Sequence, residues 1–140
     1  ARQHGPDALV EAFVEGRELT VGVLDGTPLP VVEIVPESGF YDFASKYTPG
    51  RTRYVCPAPL SAAEAEAVSK AGLAAYRALG CSGAARVDVI LDRAGRPFVL
   101  EVNTIPGMTP TSLLPKAAAA AGMDFGTLVE KILAGAGLKA

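Results

Sequence analysis

Two short alternating segments within residues 84–103 constrain the fold more than any other part of this chain. On one side of the alternation lie the apolar residues Val87, Val89, Leu91, Phe98, Leu100 and Val102. On the other side lie Arg86, Asp88, Ile90, Val99, Glu101 and Asn103. Successive side chains of a strand point to opposite faces, so a period of two indicates strands with two distinct faces. A short turn separates the segments, and together they predict an antiparallel hairpin with its polar groups on one face.

The predicted hairpin brings two acidic side chains together. Its expected cross-strand pairs are Arg86 with Asn103, Asp88 with Glu101, and Ile90 with Val99. Opposed Cβ atoms lie roughly 4.5–5.5 Å apart, so the Asp88 and Glu101 carboxylates repel each other unless a cation lies between them. Carboxylate and amide oxygens suit a hard divalent cation such as Mg²⁺. A solvated acidic face is the alternative for these two acids taken alone.

The residues after the second strand favour the metal site over the solvated face. Asn103 is followed by a Pro-Gly turn that ends at Gly107, and such a strand end exposes backbone N–H groups beside the acids. Loops at strand ends carry function more often than sheet interiors do. We therefore expect a functional site where this hairpin ends.

The bulk composition is that of an ordinary globular domain. The chain has 140 residues, of which 49% are hydrophobic and 20% charged, and its net charge is −2. It is long enough for one domain with a true core. The charge argues against a nucleic-acid partner, and the lack of an apolar run of ~20 residues argues against a membrane partner. Because the chain lacks an initiating Met and secretory features, we expect a processed or excised piece.

Cysteine and histidine chemistry is scarce in this sequence. Cys56 and Cys81 form neither a disulfide framework nor a metal-binding set, and we expect both to be buried reduced thiols in a cytosolic protein. His4 lies in a terminal segment flanked by Gly and Pro and is assigned no role. Since it is the single histidine, a Ser-His-Asp catalyst is disfavoured.

Turn and periodicity signals predict four further strands and three helices. The predicted strands are residues 9–13, 18–24, 29–35 and 53–56. The predicted helices begin at a capping box of Ser61 with Glu64 and end at Gly80, run from about 112 to 122, and run from 124 to about 134. The expected buried stripe of the first helix is Val68, Gly72, Ala75, Tyr76 and Leu79. The layout predicts an α+β fold in which helices cover a mainly antiparallel sheet.

Four segments make the chain resemble the C-terminal half of the D-alanine–D-alanine ligases, a family of the ATP-grasp superfamily. They are residues 11–18 (EAFVEGRE), 40–47 (FYDFASKY), 86–88 (RVD) and 101–113 (EVNTIPGMTPTSL). The last is the most specific, and the first alone is weak. The resemblance implies that residues 1–140 form the C-terminal part of an ATP-grasp domain. The N-terminal substrate domain and the first part of the ATP-grasp domain are then absent from this chain.

The resemblance implies an ATP site along the first two of these segments. Glu11 would accept a hydrogen bond from the adenine amino group, while Ala12 and Val14 present backbone groups to the ring. Glu18 would accept the ribose hydroxyls, and Lys46 would bind phosphate as a mobile point charge on the lid. Without the resemblance, we would interpret Glu11 and Glu18 as ordinary acids at strand ends and Lys46 as a solvated loop lysine.

The resemblance also assigns the hairpin acids a metal. Asp88, Glu101 and Asn103 would bind two Mg²⁺ ions, with Mn²⁺ as an alternative and Glu101 bridging the two. Arg86 would stabilise an oxyanion, and an ion pair between Arg86 and Asp88 is the main alternative to that role.

Four more residues take implied roles in acyl transfer. Tyr47 would face the substrates from the lid, and the backbone N–H of Gly107 would complete the oxyanion site with the arginine. Ser112 and the backbone of Leu113 would hold the carboxylate of the second substrate, since they open a helix and helix N-termini favour anions. A plain N-cap role for Ser112 is compatible with this assignment.

The implied reaction joins two D-alanines at the expense of ATP, giving D-alanyl-D-alanine, ADP and phosphate through an acyl phosphate. The resemblance further implies peptidoglycan precursor synthesis in the cytoplasm, a homodimer at full length, and a lid over residues 36–53 that excludes water. Because the missing N-terminal part of the same protein supplies other active-site groups, we expect the 140-residue piece alone to be inactive. A D-alanine–D-lactate ligase and a non-catalytic nucleotide- or metal-binding fragment remain alternatives, although Tyr47 favours the dipeptide product.

Overall fold

The structure, a computed structural model, describes residue 7 and residues 9–36 and 52–137. Its strands are β1 (Gly16–Leu24), β2 (Thr27–Pro28), β3 (Val32–Pro36), β4 (Thr52–Val55), β5 (Ala84–Asp92) and β6 (Pro97–Asn103). Its helices are α1 (Ala62–Ala78), α2 (Leu113–Ala120) and α3 (Phe125–Ala134). The α+β prediction is therefore confirmed. No helix in this described part is long and apolar enough to cross a membrane.

All strand pairs of the sheet are antiparallel. The order across the sheet is β4-β3-β1-β5-β6, and the short β2 pairs with β1. The pairing of β1 with β5 runs without interruption from Gly16 opposite Asp92 to Leu24 opposite Ala84. These two strands form the centre of the fold, and the side chains of each alternate between the two faces of the sheet.

The central part of one face of the sheet is apolar and packs against α1, and the Arg17–Glu33 ion pair lies at its edge. The buried residues of this face are Leu19, Val21, Val23, Ala85, Val87, Val89 and Leu91, joined by Val68 and Tyr76 of the helix. A Cβ on Gly72 would lie 3.0–3.3 Å from the side-chain carbons of Val21, so glycine lets the helix approach the strand closely. The predicted burial of Val68, Gly72 and Tyr76 is confirmed.

Helices α2 and α3 cover only one end of the opposite face. The buried residues there include Leu24, Leu29, Val32, Leu114 and Leu128. A Cβ on Gly22 would lie 2.9 Å from Leu114 Cδ1, which shows how tightly α2 packs on β1. Towards the other end of β1 and β5, the same face carries Thr20 and Asp88 instead of apolar residues.

The predicted helix boundaries agree with the capping interactions. Ser61 and Glu64 form both hydrogen bonds of a capping box, and the Asp124 side chain accepts from the Thr127 N–H. Gly80 and Gly122, with φ of +61° and +78°, follow the ends of α1 and α2. The predicted burial of Leu79 is wrong: this residue caps the C-terminus of α1 and is 66% exposed.

Several predicted strands need correction. Residues 9–13 form no strand, since Leu9 and Val10 are more than four-fifths exposed and make no ladder with the described strands. The second predicted strand begins earlier, at Gly16, because β5 offers a partner along its whole length. The third begins later, at Val32, since Thr27–Pro28 pairs back onto β1. The predicted lid lies largely outside the described residues, at 37–51.

The hairpin of β5 and β6 has the predicted polar pairs but not the predicted register near its turn. Arg86 lies opposite Asn103 and Asp88 opposite Glu101, as expected. The predicted pair of Ile90 with Val99 is wrong, because the register shifts between Asp88 and Val89 and Phe98 takes the position opposite Ile90. The extra residue on β6 is Leu100. This β-bulge moves Phe98 to the face that carries Asp88, and bulges are common beside active sites.

The two cysteines are free thiols, as predicted, but they are half-buried rather than fully buried. Burial raises the pKa of the Cys56 thiol, so the reduced neutral form is favoured there.

Candidate functional site

The Asp88 carboxylate is the centre of the polar end of the sheet. Arg86 donates to it from both Nε and Nη2, at 2.9 Å to Oδ1 and 2.9 Å to Oδ2. The hydroxyl of Thr20 on β1 donates to Oδ1 at 2.7 Å. The side chains of the ion pair are only 14% and 18% exposed, so this bidentate contact is better shielded from water than a surface salt bridge.

The neighbouring strand adds a second carboxylate and an amide. Asn103 Nδ2 donates to Asp88 Oδ2 at 3.3 Å and to Glu101 Oε1 at 3.0 Å. One nitrogen thus reaches an oxygen of each acid, which shows that the two carboxylates converge on a common position. The amide lies where the like charges would otherwise face each other.

This arrangement fits a divalent cation. Two carboxylates and one amide are the oxygen donors that Mg²⁺ takes from proteins, and turning the Asn103 amide would direct its oxygen to the position where its nitrogen now lies. In the described ranges, three or more His, Cys, Asp or Glu side chains nowhere form a cluster suited to a metal. The predicted ligands include only two acidic residues, Asp88 and Glu101, together with Asn103. The absence of a cluster of three His, Cys, Asp or Glu side chains from the described ranges does not test this set, which stays a prediction.

A cleft of about 640 Å³ joins these acids to the segment that precedes β1. Its polar lining includes Glu11, Glu18, Asp88 and Glu101, and Ala12 and Val14 also contribute. Its apolar lining is Leu19, Ile34, Val89, Phe98, Val99 and Leu100. The structure therefore brings four predicted nucleotide-binding residues and two predicted metal ligands to one cavity. The resemblance to the ligase family predicted this grouping, whereas the periodicity of the sequence did not.

The charged form of the Glu18 carboxylate is disfavoured by its position in the cleft. Burial raises its pKa above the ordinary value, and the negative charge of Asp88 raises it further. A ligand that donates hydrogen bonds to Glu18 would stabilise the charged form, which suits an acceptor for sugar hydroxyls.

Arg86 is engaged in the ion pair that the sequence offered as the alternative to a catalytic role. The contact with Asp88 uses Nε–H and one Nη2–H, and a guanidinium has five N–H donors. Pairing with Asp88 orients the side chain, and this is compatible with a second contact to a substrate oxygen.

The loop after β6 folds back on itself at Ser112. Its Oγ accepts from the Thr109 N–H at 3.0 Å and hydrogen-bonds with Thr109 Oγ1 at 2.8 Å, and it makes no capping bond to α2. The predicted N-cap position is correct, but the side chain braces the loop instead of capping the helix. A Cβ on Gly107 would lie 2.8 Å from the same Oγ, so a side chain there would displace the Ser112 hydroxyl from its present position. Leu113 is buried at the start of α2.

Two predicted site residues cannot be placed, and one was missed. Lys46 and Tyr47 lie outside the described residues, so their roles stay predictions. Thr20 was missed, although it contacts the central carboxylate. The sequence does show Thr20 as a hydroxyl residue within an apolar strand. Its contact with Asp88 could not be predicted, because it depends on the long-range pairing of β1 with β5.

Solved structures share this fold. The ATP complex of the D-alanine–D-alanine ligase from Bacillus anthracis matches with a TM-score of 0.74 and 41% identity, over 88% of this chain and 38% of that one. The VanG D-Ala:D-Ser ligase from Enterococcus faecalis matches with a TM-score of 0.72 and 33% identity, over 87% of this chain and 36% of that one. The fold is that of the C-terminal region of an ATP-grasp ligase.

The sequence comparisons define the family. The chain is 56% identical over 139 residues to the D-alanine–D-alanine ligase of Syntrophotalea carbinolica, covering 99% of this chain and 45% of that protein. It is 57% identical over 131 residues to the ligase of Methylacidiphilum infernorum, covering 94% of this chain and 43% of that protein. The family model described as the D-ala D-ala ligase C-terminus matches residues 1–134, and the chain belongs to this family. It spans less than half the length of these relatives.

Proposed function

We propose that the protein containing this chain joins two D-alanines to D-alanyl-D-alanine with ATP, releasing ADP and phosphate, and that this chain contributes one wall of the active site. The observation that carries the proposal is the cleft that collects Glu11, Glu18, Asp88 and Glu101. The relatives named D-alanine–D-alanine ligase supply the substrate class. The product serves peptidoglycan precursor synthesis in the cytoplasm.

ATP lies in the cleft with its base towards the segment before β1. Glu11 accepts from the adenine amino group, and the backbone of Ala12 and Val14 meets the ring edge. Glu18 accepts the ribose hydroxyls, and Lys46 contacts phosphate. The apolar lining of the cleft gives the base a surface to pack on, and most nucleotide pockets combine such a surface with a few polar groups.

Asp88, Glu101 and Asn103 hold two Mg²⁺ ions, or Mn²⁺ in their place. The convergence of the two carboxylates on one amide supports this assignment. When bound, the ions neutralise the negative charge on the β- and γ-phosphates.

The chain's own groups then guide the acyl transfer. The carboxylate of the first D-alanine takes the γ-phosphoryl group, forming an acyl phosphate and ADP; the amine of the second attacks that carbonyl, and phosphate leaves. Arg86 and the Gly107 N–H stabilise the oxyanion that develops on the carbonyl oxygen. Ser112 and the Leu113 N–H hold the carboxylate of the second D-alanine, and Tyr47 faces the substrates.

The degree of similarity to the matched ligases favours D-alanine over D-serine as the acceptor. Among the solved structures, the D-alanine–D-alanine ligase from Bacillus anthracis matches at 41% identity, whereas the D-Ala:D-Ser ligase matches at 33%. A D-lactate acceptor would require an alcohol nucleophile at the same place.

The remaining walls of the site come from the N-terminal part of the same protein. The length of the relatives supports this, since the chain covers 45% and 43% of them. We accordingly propose that residues 1–140 alone are inactive. From the resemblance to this family we also propose that the full-length protein is a homodimer.

The test uses the full-length protein with Mg²⁺-ATP. We expect phosphate release that requires D-alanine and yields D-alanyl-D-alanine by mass spectrometry, with D-serine and D-lactate as competing acceptors. Glu101→Gln should abolish most of this activity, while the matched exposed variant Glu66→Gln should retain it, because Glu66 only pairs with Lys70 on α1. The proposal would be overturned if phosphate release did not depend on D-alanine, or if Glu101→Gln kept full activity.

A further inference from the structure

Thr20 is the one buried polar or charged side chain in the described part of the chain. It is 1% exposed and lies at the centre of β1, directly opposite Asp88 of β5. Its hydroxyl is 2.7 Å from Asp88 Oδ1 and 3.2 Å from the Val87 carbonyl oxygen. A hydroxyl has one hydrogen to donate, and the shorter contact to a charged acceptor is the stronger one.

The hydrogen bonds of Asp88 account for all of its acceptor positions. An ionised carboxylate has about four lone-pair sites. Oδ1 accepts from Thr20 and from Arg86 Nε, and Oδ2 accepts from Arg86 Nη2 and from Asn103 Nδ2. Three of these contacts measure 2.7–2.9 Å, and the fourth, from Asn103, measures 3.3 Å.

A cation can bind Asp88 only if one of the four donors leaves. The Asn103 contact is the longest, and this amide must turn if its oxygen is to bind the same cation. Its departure opens a position on Oδ2, which faces Glu101 through the amide. Thr20 and Arg86 meanwhile keep Oδ1 occupied.

We propose that Thr20 is a positioning residue for the metal site: its hydroxyl, with Arg86, holds Asp88 so that Oδ2 alone is presented to the cation. The inference rests on the proposed function, since it takes Asp88, Glu101 and Asn103 as the ligands. Thr20 itself contacts neither the cation nor the substrates. Partners of this kind around a ligand typically change metal affinity by about 10- to 100-fold.

The experiment measures Mn²⁺ binding by electron paramagnetic resonance in the full-length protein, with and without a non-hydrolysable ATP analogue. Thr20→Val removes the hydroxyl and keeps the branched shape, and it should weaken Mn²⁺ binding roughly 10- to 100-fold. Thr20→Ser keeps the hydroxyl and should stay within about threefold of the parent protein. The Mg²⁺ concentration for half-maximal activity should rise in parallel, with a smaller change in the KM for D-alanine.

A matched variant separates positioning from packing. Val21→Ala alters the next residue of β1, which is fully buried on the opposite face, so it should lower the melting temperature without weakening Mn²⁺ binding. If Thr20→Val does not fold, Thr20→Ala is measured with the same expectation.

Three results test this inference and separate it from the proposed function. If the parent protein binds Mn²⁺, loses it in Glu101→Gln and keeps it in Thr20→Val, only the role of Thr20 is wrong. Equal weakening by Thr20→Ser and Thr20→Val would also overturn it, because the hydroxyl would then be irrelevant. If Glu101→Gln leaves Mn²⁺ binding unchanged, the metal assignment within the proposed function fails.

Discussion

The two faces of the central sheet use the same strands for different purposes. Towards α1, β1 and β5 present mainly apolar side chains, including Leu19, Val87 and Leu91, with Arg17 as a charged residue near one end. Towards α2, the same strands are apolar at one end and polar at the other, where Thr20 and Asp88 lie opposite each other. The covered end supports packing, and the open end forms the cleft.

This difference shows how a small domain combines a rigid core with a charged site. Neighbouring residues of one strand point to opposite faces, so each site side chain in β5 is flanked by core residues. Asp88 lies between Val87 and Val89, which are 0% and 1% exposed. Packing of these two core residues therefore fixes the position of β5, and the position of β5 fixes that of the Asp88 carboxylate.

The largest expected effect on stability comes from the α1 face. Leu91→Ala removes a side chain that is 1% exposed and should lower the free energy of unfolding by about 2–5 kcal/mol. Chemical denaturation measures this loss. The folded fraction should retain the parent kcat, since Leu91 belongs to the core that packs on α1. A loss of kcat at temperatures where the variant is fully folded would contradict the separation of the two faces.

Arg86→Ala should act in the opposite way, on turnover more than on stability. Removal of one oxyanion donor typically lowers kcat about 10²- to 10³-fold, and steady-state kinetics of the full-length protein measures it. Arg77→Ala is the control, because Arg77 is exposed in the last turn of α1 and lies on the other side of the sheet. If Arg86→Ala keeps its turnover, the oxyanion role proposed for Arg86 is wrong.

The polar pairs of the hairpin were predictable because they repeat a pattern. Arg86, Asp88, Glu101 and Asn103 alternate with apolar residues, and that alternation determines which of them share a face. The bulge at Leu100 was not predictable, since no glycine or other special residue marks it. The predicted pair of Asp88 with Glu101 is correct because it follows from the alternation itself. The predicted register near the turn is wrong because the bulge lies between that pair and the turn.

Other features depend on contacts between distant parts of the chain. Thr20 meets Asp88 only because β1 pairs with β5 across 67 intervening residues, and periodicity carries no information about such a pairing. Residues 9–13 have the apolar content of a strand, yet they do not join the sheet, and two of them, Glu11 and Ala12, line the cleft. The helix ends, by contrast, were predictable from local capping residues such as Ser61 and Asp124.

Phe98→Ala tests whether the bulge matters to the cleft. The bulge turns this ring, which is 37% exposed, to the Asp88 face, where it lines the cavity. Loss of about 1 kcal/mol of apolar contact should weaken ATP binding roughly fivefold by isothermal titration. Phe125→Ala is the matched control, because this exposed ring begins α3 and is not part of the cleft lining. Equal weakening by both variants would contradict the assignment.

The smallest effect should come from the cap of α3, on the covered end of the sheet. Hydrogen bonds from the Thr127 backbone and side chain lower the pKa of Asp124 below its ordinary value of 3.8. Because the folded pKa lies below the unfolded one, the cap stabilises fully above about pH 4 and loses its contribution as the pH falls through the folded pKa. Asp124→Asn provides an equally good N-cap that does not titrate. Its melting temperature should match the parent near pH 7 and exceed it at pH 2–3. Mn²⁺ binding at pH 7 should be the same in both, because α3 packs on the covered end of the sheet face and the proposed metal ligands lie at the open end.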